Sequence, residues 1–408
     1  MLTPEYLQRI TEGAEEISSS LHRTIMDMII ERIMKRLGRG EDYLLTQTDR
    51  WQIQVLQESG ELLEDIQKEI ADKTRLQKKE IKDAFMDAGI TSLKWDDAVY
   101  IAAGLTPTAL MQSPTMLRIL ERDYLATAGE WNNFTRTTAL DAQRTFINQM
   151  DNAYHLVSTG AASYTQAVRD VINNITEVGL KVNYPTGYRM SIESATMMIV
   201  RTGVGQVAAN ISMKRMEEMN WDTVLVSAHL GARTGNGGMN PGNHLWWQGR
   251  FYSRSGKDKR FPDFVKTTGF GTGEGLCGWN CRHSFGSGDG VNNPYDDKKI
   301  NFADNHKVEE LQKKQRAQER RIRDTKRKIQ NLQTAVDNCK DDKARFELQN
   351  MLDRKAHTLK LQNKRYSTFC EENDLREYAE RLKVAQWDRK QAMKSAAAAR
   401  RYESAKKG

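Results

Sequence analysis

Through the first 178 residues, apolar side chains recur at spacings of three and four. That periodicity predicts helix after helix. Thr3-Pro4 reads as an N-cap followed by proline at the first helical position. Ile10, Ile17, Leu21, Ile25 and Met28 form one stripe, and Gly38-Arg39-Gly40 reads as its stop. Thr48 or Asp49 is the expected cap of a helix that carries Trp51, Ile53 and Leu56 and ends at Gly60. A long helix is expected over 61–88, with shorter ones near 94–104, 107–127, 135–158 and 163–175. Thr106-Pro107 and Gly160 mark two of the breaks. The chain has 7 prolines in 408 residues, which leaves room for long helices.

The pattern changes near Val178. Residues 179–184 alternate and Pro185-Thr186-Gly187 is turn chemistry, which together predict a hairpin. A helix is expected over 191–219, then a short buried strand at Val224-Leu225-Val226. Residues 229–290 are rich in glycine, with Trp246, Trp247, Phe251, Tyr252, Phe261, Phe264, Phe270, Trp279 and Phe285 between the glycines. Those aromatics are expected to form the core of a small α+β domain. From Asp304 the helical signal returns. Val308, Leu311, Gln315, Gln318, Ile322, Thr325, Ile329, Leu332 and Val336 trace a polar-diluted heptad seam. A turn is expected over 337–342, a second helix over 343–369, and at Asn373-Asp374 a stop followed by an N-cap. Leu375, Tyr378, Leu382 and Ala385 then stripe a last helix, and residues 396–408 read as a frayed tail. The fold class is therefore mainly α with a small α+β central domain. The expected division is a multi-helical region 1–178, a loop-rich aromatic-cored middle 179–300, and a basic, coiled-coil-like helical region 301–408.

Composition sharpens this. Hydrophobic residues make up 38% of the chain and charged residues 28%, with a mean hydropathy of −0.70. That is too little apolar material for one compact body of this length, so elongated or thinly packed parts are expected. Residues 301–408 hold 28 Lys and Arg against 17 Asp and Glu, a net of +11, so residues 1–300 carry −3 of the total +8. Such a segment suits DNA phosphates or an acidic protein surface, and equally a solvated helix face. No run of about 18 apolar residues occurs, so no membrane span is expected. The N-terminus lacks the layout of a secretory signal. Four cysteines in such a length argue against a disulfide framework and for a reducing cytoplasm.

The chemistry-bearing residues gather in the middle. Cys277, Cys281, His283 and His244 are candidate ligands of a structural zinc, with His229 nearby, because thiolates and imidazoles suit that ion. The local spacing, Cys-x3-Cys-x-His, is not that of a standard zinc finger. A Cys277–Cys281 disulfide and a plain buried loop, its histidines bonded to carbonyls, are the other readings. A thiol hydrolase using Cys281 with His244 or His229, or a metal nuclease using His229, His244 and Asn280, lacks a recognisable nucleophile context or orienting group. Gly269 to Gly275 lacks the strand, the Gly-Lys-Ser/Thr ending and the helix of a phosphate loop. Trp246, Trp247 and Arg250 are candidate contact residues, since Trp and Arg are enriched where proteins meet. Arg320, Arg321, Arg323, Lys326 and Arg327 are the candidate basic contacts further on.

Five segments in this order carry a resemblance: Ser227-Ala228-His229-Leu230-Gly231-Ala232-Arg233; His244-Leu245-Trp246-Trp247-Gln248-Gly249-Arg250; Phe261-Pro262-Asp263-Phe264; Thr268-Gly269-Phe270-Gly271; and Gly275 through Phe285. They resemble the phage minor capsid protein family, itself similar to the Mu-type head-morphogenesis proteins. Asp49-Arg50-Trp51-Gln52 with Gly60 resembles the family's N-terminal region. Gln315-Arg316, Glu319 through Arg323 and Lys326-Arg327 resemble its segment after the cysteine–histidine motif. Two departures are a longer link, Thr234 to Asn243, and the glycine-rich continuation after Phe285.

The resemblance implies a low-copy structural protein of the phage head with portal and capsid proteins as partners. It implies a role in head assembly, genome packaging or delivery, and no catalysis. It also implies a virion location, with host cytoplasm during assembly. Packaged DNA is a further expected partner, through residues 301–408.

Overall fold

The computed structural model describes residues 1–45, 51–184, 186–296 and 301–406. The expected caps Thr48 and Asp49 and the turn residue Pro185 lie outside them. The N-terminal helices are α1 (Pro4–Arg9), α2 (Glu12–Leu37), α3 (Glu41–Leu45), α4 (Trp51–Ala102), α5 (Pro114–Ser158) and α6 (Tyr164–Val178). Strands β1 (Lys181–Asn183) and β2 (Arg189–Ser191) precede α7 (Ile192–Glu218). Then come β3 (Thr223–Val226), α8 (His244–Trp247), β4 (Phe251–Ser253), α9 (Phe264–Thr268) and β5 (Phe285–Ser287). The chain finishes with α10 (Asn305–Asn338), α11 (Asp342–Glu372) and α12 (Arg389–Ala405). The fold is mainly helical, with two small antiparallel sheets in the middle region.

Of the caps read from the sequence, the one at Thr3 is in place and the one at Asn373-Asp374 is not, since no helix starts there; Ser163 is a further cap, on α6. Tyr6 N donates to Thr3 Oγ1 at 3.1 Å, and Gln166 N to Ser163 Oγ at 3.3 Å. The expected stop at Gly60 is not there: α4 runs through it, and through Gly89, as one 52-residue helix. A glycine inside a helix costs about 1 kcal/mol relative to alanine. Ending the helix would instead strand up to four C=O groups before the break and four N–H groups after it. Ser59, the residue placed to cap a new start, bonds back to Leu56 O at 2.7 Å. The helix expected from 107 begins at Pro114, with Ser113 Oγ accepting from Met116 N at 3.4 Å, and continues without a break to Ser158. The hairpin forms as read, Val182 facing Met190.

The chain packs as two compact units. One comprises residues 1–15, 75–132 and 194–313, and the other 16–74, 133–193 and 314–408. Helices α4, α5 and α10 each continue from residues of one unit into residues of the other.

In the first unit, Leu7, Ile81, Phe85, Met116, Leu120, Val200, Val204 and Ile211 form one apolar core. Its helices approach closely at Gly203, where a Cβ would lie 2.4 Å from Thr127 Oγ1 and 2.8 Å from Phe85 Cζ. A second core joins α7 to a three-stranded sheet of order β4-β3-β5, with Val224 opposite Tyr252 and Val226 opposite Phe285. The expected aromatic core is Trp247, Tyr252, Phe264 and Phe285, with Trp246 and Phe270 packed at its margin. Trp279 does not join it and stays 62% exposed.

In the second unit, Trp51 stacks on Tyr154 with ring centroids 4.9 Å apart. The heptad seam of α10 buries Ile322, Ile329 and Leu332. Asp341 caps α11 through Ala344 N at 2.8 Å.

The last helix is not where the stripe of Leu375, Tyr378, Leu382 and Ala385 puts it. Residues 373–388 form a strap with one 3-10 turn at Ala379–Leu382. Side chains of α10 hold its carbonyls: Gln315 Nε2 donates to Arg376 O at 2.8 Å, Arg323 to Arg381 O, Lys326 Nζ to Leu382 O at 2.8 Å, and Gln330 Nε2 to Ala385 O at 2.9 Å. With acceptors satisfied from outside, these residues have less need of a helix of their own.

Residues expected to fray instead form most of α12. Asp388 accepts from Gln391 N at 2.7 Å, Ala398 and Ala399 are buried, and Arg401 makes two bonds to Asp353 at 2.6 and 3.0 Å. Asp388→Ala is expected to cost about 1 kcal/mol, the usual value of an N-cap. Denaturant titration would read the loss, and amide exchange would place it in the first turn of α12.

Candidate metal centre

Strand β3 and the loops after it bring three side chains to one point. His244 opens α8, its N–H donating to Arg233 O at 2.8 Å. Cys281 and His283 lie on the loop between α9 and β5. That loop folds back tightly: Leu276 N donates to Thr268 O at 3.0 Å, and a Cβ at Gly275 would lie 2.2 Å from Gly269 O. Only glycine fits there. Cys277 and Asn280 take positive φ of 59° and 53°, which completes the turn.

The ligand atoms of His244, Cys281 and His283 all lie within 4.8 Å of one another. The three residues are 2%, 7% and 2% exposed. Cys281 Sγ is 3.8 Å from His244 Nδ1 and 3.7 Å from His283 Nδ1. The outer ring nitrogens face oxygens. His283 Nε2 is 2.8 Å from Gln248 Oε1, an oxygen that also accepts from His229 N at 3.1 Å. Its role as acceptor makes His283 the Nε2–H tautomer. His244 Nε2 is 2.9 Å from Glu274 O. Arg233 Nη2 lies 2.8 Å from the same carbonyl and 2.7 Å from His244 Nε2. A guanidinium only donates, so Arg233 Nη2 is placed to donate both to the Glu274 carbonyl and to His244 Nε2.

Burial pushes His244 down to about 4 and His283 well below the usual imidazole value, with neighbouring cationic groups adding to the effect. It pushes the Cys281 and Cys277 thiols up. A buried neutral imidazole pair beside a protonated thiol is a poor nucleophile–base couple. Cys277 is buried in the same core but outside this group, its Sγ 3.8 Å from His283 O. All four cysteines are free thiols. His229 stacks on His283 at 4.4 Å, and Asn280, named in the nuclease reading, is exposed.

The candidate contact residues divide. Trp247 is fully enclosed, with Nε1 donating to Pro241 O at 2.9 Å, so it serves the core. Trp246 is half-buried, and Arg250, Arg320 and Arg321 are exposed. Arg323 and Lys326 hold the strap, and Arg327 Nη2 meets Glu193 Oε1 at 3.0 Å. That same oxygen is 2.8 Å from His22 Nδ1. Burial opposes the Glu193 charge, but Arg327 and His22 outweigh it and hold the carboxyl well below its ordinary range. Sequence reasoning missed Gln248 and the Glu274 carbonyl as partners of the histidines, and Trp279 as a surface residue. Gln248 lies inside a quoted motif, but nothing local marks its role.

A family model described as Phage minor capsid protein 2 matches residues 2–391. With nearly the whole chain matched, the protein belongs to the phage minor capsid protein 2 family. No curated protein and no solved structure matches the chain. Among the described residues, no helix is long and apolar enough to cross a membrane.

Proposed function

We propose that this chain is a low-copy structural protein of the phage head, seated beside the portal and acting in head assembly, genome packaging or delivery. The observation that carries this reading is that one minor capsid family spans residues 2–391, helices and central domain together. The protein works in the virion, is made in host cytoplasm, and does no chemistry on a substrate.

Its partners are portal and capsid proteins. Exposed apolar side chains support contact with protein: Ile53 and Leu56 on α4, and Ile101, Leu105 and Met111 around the link from α4 to α5. Packaged DNA is the second reading, favoured by the adjacent exposed Arg320 and Arg321 in the basic region. Of the five basic candidates on α10, Arg323, Lys326 and Arg327 are engaged within the chain, so phosphate contact rests on the other two.

Imaging of purified particles tests the proposal. Density for this chain beside the portal is the expected result, and particles that lack the chain altogether would refute it. A companion measurement weighs DNA. If both arginines neutralise phosphates, Arg320→Ala with Arg321→Ala lowers the salt slope of DNA binding by about 2. An unchanged slope removes the DNA reading.

A further inference from the structure

We propose that His244 Nδ1, Cys281 Sγ and His283 Nδ1 bind a zinc ion that ties the start of α8 to the loop before β5. The first argument is convergence. Three buried side chains with metal affinity bring their ligand atoms to one point, two ring nitrogens lying 3.8 and 3.7 Å from the Cys281 sulfur. His283 gives its Nε2 proton to Gln248 Oε1, which leaves its Nδ1 lone pair facing that sulfur.

The second argument is distance. Zinc bonds of about 2.0–2.1 Å to nitrogen and about 2.3 Å to sulfur, at tetrahedral angles, separate N from S by about 3.6 Å. The observed separations of 3.7 and 3.8 Å match that spacing. The third is the outer ring of partners. Metal-bound histidines characteristically donate their other N–H to a carbonyl or carboxylate, which fixes ring orientation. Gln248 supplies such an acceptor to His283, while Arg233 holds the outer nitrogen of His244.

Mixed thiolate and imidazole donors in a tetrahedral arrangement select zinc among common divalent ions. On binding, the Cys281 thiol gives its proton to solvent and the thiolate bonds the ion, with no change of oxidation state. Three protein donors leave one tetrahedral position for a further ligand. Cys277 is not among the donors, because its sulfur lies outside the group of ligand atoms that His244, Cys281 and His283 form.

Metal content of the purified full-length chain, followed by chelation and reloading with cobalt, tests this. One zinc per chain is expected. The cobalt form should show strong visible bands of a tetrahedral ion and a near-ultraviolet thiolate charge-transfer band. Cys281→Ser should lose the charge-transfer band and Cys277→Ala should keep it, each with its fold checked by circular dichroism. The proposal fails if the folded wild-type chain takes up neither ion. It fails equally if Cys281→Ser keeps the band, or if Cys277→Ala loses the metal. The wild-type arm stands even where a variant does not fold.

Discussion

Trp247→Ala is expected to lower the unfolding free energy by about 4 kcal/mol, as for other large aromatic truncations in tight cores. The indole is fully enclosed among Val226, Tyr252, Phe264, Leu276 and Phe285. Phe264 and Phe285 meet edge to face at 4.8 Å, so the cavity has rigid walls and collapses poorly. One hydrogen bond adds to the loss, because the Pro241 carbonyl forfeits its indole donor. Urea denaturation followed by tryptophan fluorescence and far-ultraviolet circular dichroism would read the change. Trp279→Ala is the control. Its ring is largely exposed, and its loss is expected to leave the midpoint nearly where it was. A Trp247→Ala loss below about 1 kcal/mol would contradict the enclosed core.

Arg327→Met should cost about 3–5 kcal/mol, because it leaves a buried carboxylate short of its strongest partner. Glu193 has a side chain 3% exposed, and His22 alone remains beside it. The pH dependence gives the mechanism. In the native chain the Glu193 carboxyl is held low, so its contribution is present above the unfolded value of about 4.3 and fades as pH falls through the folded value. In Arg327→Met the carboxyl rises and takes up a proton sooner. The gap between wild type and variant is therefore widest near neutrality and narrows in acid. Denaturant midpoints at neutral and acidic pH would show it. A gap that stays constant with pH would mean that Arg327 acts by packing alone.

Periodicity and turn chemistry made the helical class, the hairpin, the strand at Val224 and the cap at Thr3 legible, since each is set by neighbours in sequence. The errors share a cause. Gly60 is a weak local signal worth about 1 kcal/mol, and the continuity of α4 overrides it. The strap 373–388 has helical spacing, but donors from α10 take its carbonyls, and such long-range partners leave no local trace. Trp246 and Trp247 are adjacent on one turn of helix, and the text of the chain does not say which faces in. For the candidate site, His244, Cys281 and His283 were visible as residue types with metal affinity. The exclusion of Cys277 follows from where its thiol points, and the Glu274 acceptor is a backbone atom that any residue could have provided.

The strap has a consequence for how this segment tolerates change. Four α10 side chains grip main-chain oxygens at Arg376, Arg381, Leu382 and Ala385. Main-chain oxygens are common to all residues, so the grip reads spacing rather than identity. At Arg376 and Ala385, point replacements should pass with little effect. Removing a single residue between Arg376 and Ala385 would throw the later oxygens out of step with their donors and pull α12 away from its place on α11.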